Sequence, residues 1–137
     1  MKTIFKLIAL ILLPLGLWSC SGNEHANGET YSVTYSAVQT KGHENLHITL
    51  KGSYIDAKGQ EVQINEQLPF TITIDNMPES VRPRFKGVLY NPKHNVYATI
   101  TMIGNSRYKI HAKQEFAHST PATHGEELDK LNTFVFE

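Results

Sequence analysis

An all-β fold, a sandwich or barrel of short strands, is predicted by three observations on this 137-residue chain. Hydrophobic residues alternate with period two over most of the stretch from Tyr31 to Ala112, turn signals recur at close intervals, and no segment of useful length carries a helical period. Composition agrees with one globular domain: 40% hydrophobic and 19% charged residues, with a formal net charge of zero.

The amino end differs in kind. Lys2 and Lys6 precede "LIALILLPLGLW", an uncharged run from Leu7 to Trp18. Lysines followed by about 7–15 apolar residues describe a secretory signal, whereas a spanning helix needs about 18 or more. Pro14 and Gly16 weaken the run further as a stable helix. Residues 20–30, "CSGNEHANGET", then carry no large apolar side chain and read as a tether spanning at most about 36 Å.

From Tyr31 the strands follow in order. Tyr31, Val33, Tyr35 and Ala37 share one face, with Ser32, Thr34 and Ser36 on the other; Leu46, Ile48, Leu50 and Tyr54 repeat the pattern, with Gly52 marking a bulge or bend. "DAKG" (Asp56 to Gly59) is a turn, Val62 and Ile64 resume the alternation, and Leu68, Phe70, Ile72 and Ile74 form a further strand whose Pro69 marks an edge or corner. "DNMPES" is expected to end that strand. Phe85 to Tyr90 is the next, and "NPKH" turns into Val96, Ala98, Ile100 and Met102. "IGNSR" closes a hairpin onto Tyr108 and Ile110. Past Ala112 the alternation weakens: "FAHSTPATHG" reads as a loop, Thr123-x-x-Glu126 matches a capping box, and "TFVFE" supplies a last strand, since Phe134 and Phe136 are costly to leave in water.

Two resemblances follow from these residues. "LWSC", Leu17 to Cys20, resembles the lipobox of bacterial lipoproteins, with Trp18 bulkier than the usual middle residue. It implies cleavage before Cys20 and lipidation of that thiol, a thioether to diacylglycerol requiring sulfur. Several acyl chains would then hold the protein to a membrane firmly, where a single chain is marginal. Ser21 after the cysteine resembles the outer-membrane sorting signal of enteric bacteria. Loss of residues 1–19 would remove Lys2 and Lys6, leaving 118 residues with 11 basic and 13 acidic side chains and nothing that suggests nucleic-acid binding.

"YSVTYSAV", "LPF" and "VYATITMIGN" in turn resemble the landmarks of small envelope proteins of the mycobacterial membrane protein small (MmpS) type. That resemblance, which spans roughly residues 31–110, implies an immunoglobulin-like antiparallel β-sandwich, expected as a single domain over residues 31–137, and an accessory role beside lipid- or siderophore-exporting transporters. The chain departs from the pattern in having Phe70 for a tryptophan and Gly104-Asn105 for Asp-Gly.

The expected function is therefore non-enzymatic: an envelope binding or accessory module with no cofactor, partnered by the membrane through Cys20 and by an envelope protein or anionic lipid. Arg82, Arg84 and Lys86 in "VRPRFKGVLY" alternate with Pro83 and Phe85, placing three cations in a row about 7 Å apart per step. The row suits an anionic partner. The simpler account, preferred on sequence, is cationic protection of an edge strand. A metal- or haem-binding lipoprotein is the alternative raised by seven histidines; His43 and His47 lie four apart, but on a strand rather than a helix face. A small hydrolase is the third reading, although no G-x-S-x-G elbow occurs and Asp56, Asp75 and Glu126 sit in turn or cap contexts.

Overall fold

A computed structural model describes residues 29–93, 95–105, 109–119 and 132–137. The expected signal, Cys20, the tether up to Gly28, Tyr108 and the capping box at Thr123 lie outside the described residues.

Among the described residues eight strands form: β1 (Thr30–Gln39), β2 (Thr49–Ile55), β3 (Glu61–Gln67), β4 (Phe70–Pro78), β5 (Phe85–Tyr90), β6 (Asn95–Gly104), β7 (His111–Ser119) and β8 (Thr133–Phe136). They make two four-stranded antiparallel sheets, ordered β4-β1-β6-β7 and β3-β2-β5-β8. The all-β sandwich is thus as the alternation predicts. Pairing of β1 with β4 in one sheet and β2 with β5 in the other matches the B–E and C–F pairs at the centre of an immunoglobulin domain. β8 takes the place of strand G beside β5, β3 extends the sheet beyond β2, and the β6–β7 hairpin occupies the side of β1 where strand A would lie.

Alternation explains the core. Val33, Tyr35 and Ala37 of β1 and Val96, Ala98, Ile100 and Met102 of its sheet neighbour β6 pack with Leu50 of β2 and Phe85 and Leu89 of β5 in the other sheet, all buried in one cluster. An aromatic knot sits at its centre: the Phe85 ring lies 5.4 Å from Tyr35, 4.9 Å from Phe134 in an edge-to-face arrangement, and 6.2 Å from Phe70. Tyr35 brings a hydroxyl into this interior and satisfies it by donating to the Ile55 carbonyl oxygen at 2.8 Å. Burial pushes the Tyr35 phenol far above its ordinary value, so the group stays a neutral donor.

The turns are built by the residues that announce them. Asp56 Oδ1 accepts from the amides of Lys58 and Gln60, with Gly59 at φ 76°. Asn91 Oδ1 likewise gathers the amides of Lys93 and Asn95, while its side-chain amide donates to the His47 carbonyl oxygen. β8 docks as expected, burying Phe134 and Phe136 against β5. Pro69, after a cis Leu68–Pro69 bond, opens β4 at the edge of its sheet.

Four expectations are corrected. Gly52 is no bulge: β2 keeps continuous register with both β3 and β5, and Gly52 faces Gly87 across the sheet. The irregularity lies instead in the β1–β4 pairing between Tyr31 and Val33, where Asn76 at φ 58° supplies the extra residue of β4. Because that bulge absorbs "DNM", β4 runs on to Pro78 and Met77 returns to the core. Likewise "FAHS" is not loop: β7 extends to Ser119, paired with β6 throughout. It is an edge strand with Phe116 as its one buried side chain, so the inward signal is nearly absent. Finally, β5 is no edge strand, being hydrogen-bonded to β2 on one side and β8 on the other.

Candidate functional site

With β5 flanked on both sides, edge protection cannot explain Arg82, Arg84 and Lys86. Alternation does hold through the segment: Pro83, Phe85, Gly87 and Leu89 turn inward while the three cations turn outward. What the sequence could not reveal is their partner on β3. Arg84 Nη2 lies 3.7 Å and Lys86 Nζ 3.4 Å from the two oxygens of Glu61, and Ser53 Oγ donates to Glu61 Oε1 at 2.6 Å. Glu61 reaches them because it closes the β2–β3 hairpin opposite Ile55, next to Ser53 on β2, which in turn pairs with Lys86.

Arg84 and Lys86 therefore join Ser53 and Glu61 in a four-residue network, in which one carboxylate offsets two of the row's three cations. The Ser53 hydrogen bond and, after it, Lys86 hold the Glu61 carboxyl below its ordinary value of 4.5. A lowered folded value means the network's contribution to stability is present above the unfolded value near 4.5 and is lost as pH falls through the lower folded one. In an NMR titration the Glu61 carboxyl should have its midpoint below 4.5, and Ser53→Ala should move it upward. A midpoint unmoved by Ser53→Ala would remove the hydroxyl from the account.

Arg82 is different. It is exposed, precedes β5, and among the described residues has no ion-pair partner. It lies on the β4–β5 loop, Glu79 to Arg84, which separates two clefts at one end of the sandwich. The first, about 570 Å³, is lined by the apolar Tyr31, Val81, Pro83, Met102 and Ile110 and by the polar Arg82, Lys109, His111, Glu79 and Glu137. The second, about 450 Å³, lies on the other side of the loop against Ile55 and Gly59. The Tyr31 hydroxyl braces this loop by donating to the Val81 carbonyl oxygen at 3.2 Å. Burial and the nearby Glu79 carboxylate raise the Tyr31 phenol, so the donor is retained at alkaline pH.

Sequence reasoning found Arg82 and missed the cleft around it. Tyr31, Arg82 and Lys109 come from three segments far apart in the chain, and only the sheet order brings them together. The one local sign was the proline pair Pro78 and Pro83 bracketing a loop with a charge at its tip.

Among the described residues the histidines do not converge. His43 stacks on Tyr97 with ring centroids 4.0 Å apart, His47 is exposed, and His118 bonds Asn132. Among the described residues no group of three or more His, Cys, Asp or Glu side chains is placed to hold a metal. His25, His94 and His124 fall outside them. Compared with known proteins, the chain matches no family model, no curated protein and no solved structure.

Proposed function

We propose that the chain is a lipid-anchored envelope protein that acts non-enzymatically, as a binding or accessory module of a membrane or transport assembly. The observation that carries this reading is "LWSC" after a lysine-led apolar run, followed within ten residues by a sandwich that starts directly at Thr30. Cys20 is the anchor, and Ser21 favours the outer membrane. The MmpS-like landmarks support an accessory rather than catalytic role, and an immunoglobulin-like sandwich with loops gathered at its ends is a common binding scaffold.

Cells fed labelled palmitate should yield a labelled, membrane-sedimenting wild-type protein, and Cys20→Ser should lose both the label and the sedimentation. A serine variant that still incorporates palmitate would refute the anchor. Crosslinking of the wild-type protein in membranes, followed by purification, should recover a stoichiometric envelope protein; recovery of none would count against the accessory role.

A further inference from the structure

We infer that the chain pairs with a second copy of itself through the free edge of β4, two antiparallel strands meeting about a two-fold axis at Ile72. The inference goes beyond the envelope reading and does not depend on the anchor.

The first support is that this edge alone is left bare. Among the described residues β4, β7, β3 and β8 end the two sheets. β3 carries Glu61 and Glu66, β7 carries Lys113 and Glu115, and β8 is only 4 residues long. Charge and shortness are how natural sheets keep their edges from pairing. β4 has neither: between Pro69 and Asp75 it reads Phe-Thr-Ile-Thr-Ile, uncharged and rich in β-branched residues, and it is hydrogen-bonded to β1 alone. Ile72 and Ile74 pack on the core but stay half-buried.

The main chain fixes which groups are free. The Ser32 carbonyl oxygen accepts from the Asn105 amide, and the Thr40 amide donates to the Tyr97 carbonyl oxygen, so even-numbered residues of β1 turn their main-chain groups to β6. Odd-numbered ones turn to β4, in agreement with the Glu79 amide donating to the Glu29 carbonyl oxygen. Tyr35 opposite Ile72 and Val33 opposite Ile74 are therefore the hydrogen-bonded pairs, which leaves the N–H and C=O of Thr71 and Thr73 directed off the sheet.

The second support is self-complementarity. Centred on Ile72, antiparallel pairing sets Thr71 against Thr73 of the partner subunit, and Phe70 against Ile74 of the partner subunit. Hydroxyl then meets hydroxyl on the outer face, and apolar side chain meets apolar side chain on the inner one. Thr34 with Thr73 at 2.9 Å and Ser36 with Thr71 at 3.0 Å already form such hydroxyl pairs, and the dimer continues those rows across the axis. In the same register the outward amides and carbonyls of Thr71 and Thr73 bond one another. Asp75 falls opposite Pro69 of the partner subunit rather than its own counterpart. Each copy uses its one bare edge, so the pair closes and does not grow into a fibre. One short strand per copy buries less than about 1,200 Å² in all, the class of weak, reversible contacts, so pairing is expected at high local concentration.

The test traps the pair in the purified full-length chain. Ile72→Cys puts a thiol on the axis, at a non-hydrogen-bonded position where the two Cα atoms lie about 4.5 Å apart, within disulfide range. Under mild oxidation it should form a covalent dimer roughly tenfold faster than Ile103→Cys, or more, because a held pair sees an effective concentration on the order of millimolar. Ile103 is 44% exposed but lies on β6, inside its sheet; wild type, with Cys20 alone, reads the background. Adding Thr71→Lys with Thr73→Lys sets like charges opposite each other and should bring the Ile72→Cys rate down to that of Ile103→Cys. Thr71→Glu with Thr73→Glu should do the same, and mixing the lysine and glutamate forms should restore rapid crosslinking.

A second measurement needs no substitution. In the wild-type chain the Thr71 and Thr73 amides should exchange roughly tenfold more slowly at millimolar than at micromolar protein, while the Ile72 and Ile74 amides, bonded to β1, are protected alike at both. Equal crosslinking at the two cysteine positions, or mixed charges that fail to restore it, would overturn the pair. So would Thr71 and Thr73 amides that exchange alike at both concentrations: protection at both would mean a segment of the same chain lies along β4, and rapid exchange at both a bare edge.

Discussion

Phe85→Ala should destabilise the protein by about 3–5 kcal/mol, the range for emptying a buried aromatic site. A domain of this size has about 5–15 kcal/mol in all, so the variant should be marginal at 37 °C. The reason is the position of the ring. Phe85 is fully buried and is the shared neighbour of Tyr35, Phe70, Phe134 and Phe136, so its loss opens a void that touches both sheets. Three of these neighbours are held in place and do not readily fill the void. Tyr35 is tied by its hydroxyl to Ile55, and Phe134 and Phe136 are fixed by the register of β8 on β5.

Urea unfolding followed by circular dichroism measures the loss. Tyr90→Ala is the control, because Tyr90 ends the same strand but is 51% exposed, and its removal should cost within about 0.5 kcal/mol. Equal midpoints for the two variants would mean that the aromatic knot does not hold the sheets together. A second readout tests the mechanism: loss of Phe85 should release β8, which pairs with β5 alone, before it releases β2. Amide exchange at Phe134 and Val135 should therefore quicken more than exchange at Leu50.

What could be read from the chain follows from where the period-two signal is strong. β1, β6 and β8 bury every second residue against the other sheet, so "YSVTYSAV", "VYATITM" and "FVF" announce both strand and inward face. β7 fails to announce itself because an edge strand faces one neighbour only, and nothing but Phe116 demanded an apolar residue. β4 looks shorter in sequence than it is for a different reason: its bulge at Asn76 shifts the inward phase by one residue, so Ile74 and Met77 look out of step in sequence and are in step in space. The functional end was the least legible. Arg82 could be singled out as a charge, but the Glu61 that offsets its neighbours Arg84 and Lys86 lies on another strand, and Lys109 on another sheet's hairpin. Spacing along a chain carries no information about partners that only sheet order supplies.

Gly52 is the clearest case of that limit, and it carries the other large expected effect. Alone, a glycine in a strand suggests a bulge, yet register here is unbroken and Gly52 stands directly opposite Gly87. A Cβ at position 52 would sit 2.1 Å from the Lys86 carbonyl oxygen and 2.7 Å from the Gly87 Cα, both backbone atoms. Side-chain rotation cannot relieve such contacts, so β2 and β5 must move apart at the middle of their sheet. Gly52→Ala should cost about 3 kcal/mol or more, at or above the upper end for overpacking, since the obstacle is main chain.

Gly42→Ala separates this cause from the general penalty of adding a methyl group. Gly42 has a φ of 90° but nothing within 4 Å of its would-be Cβ, so its substitution carries only backbone strain, on the order of 1 kcal/mol. In amide exchange, Gly52→Ala should expose Lys51 to Ser53 and Lys86 to Val88 while leaving β1 and β6 protected. It should also loosen Glu61 from Lys86, because Ser53 and Lys86 form the next pair along the same strands. A Gly52→Ala protein as stable as wild type would mean that the two backbones do not approach so closely, and the packing of Tyr35 and Phe85 above them would have to be placed differently.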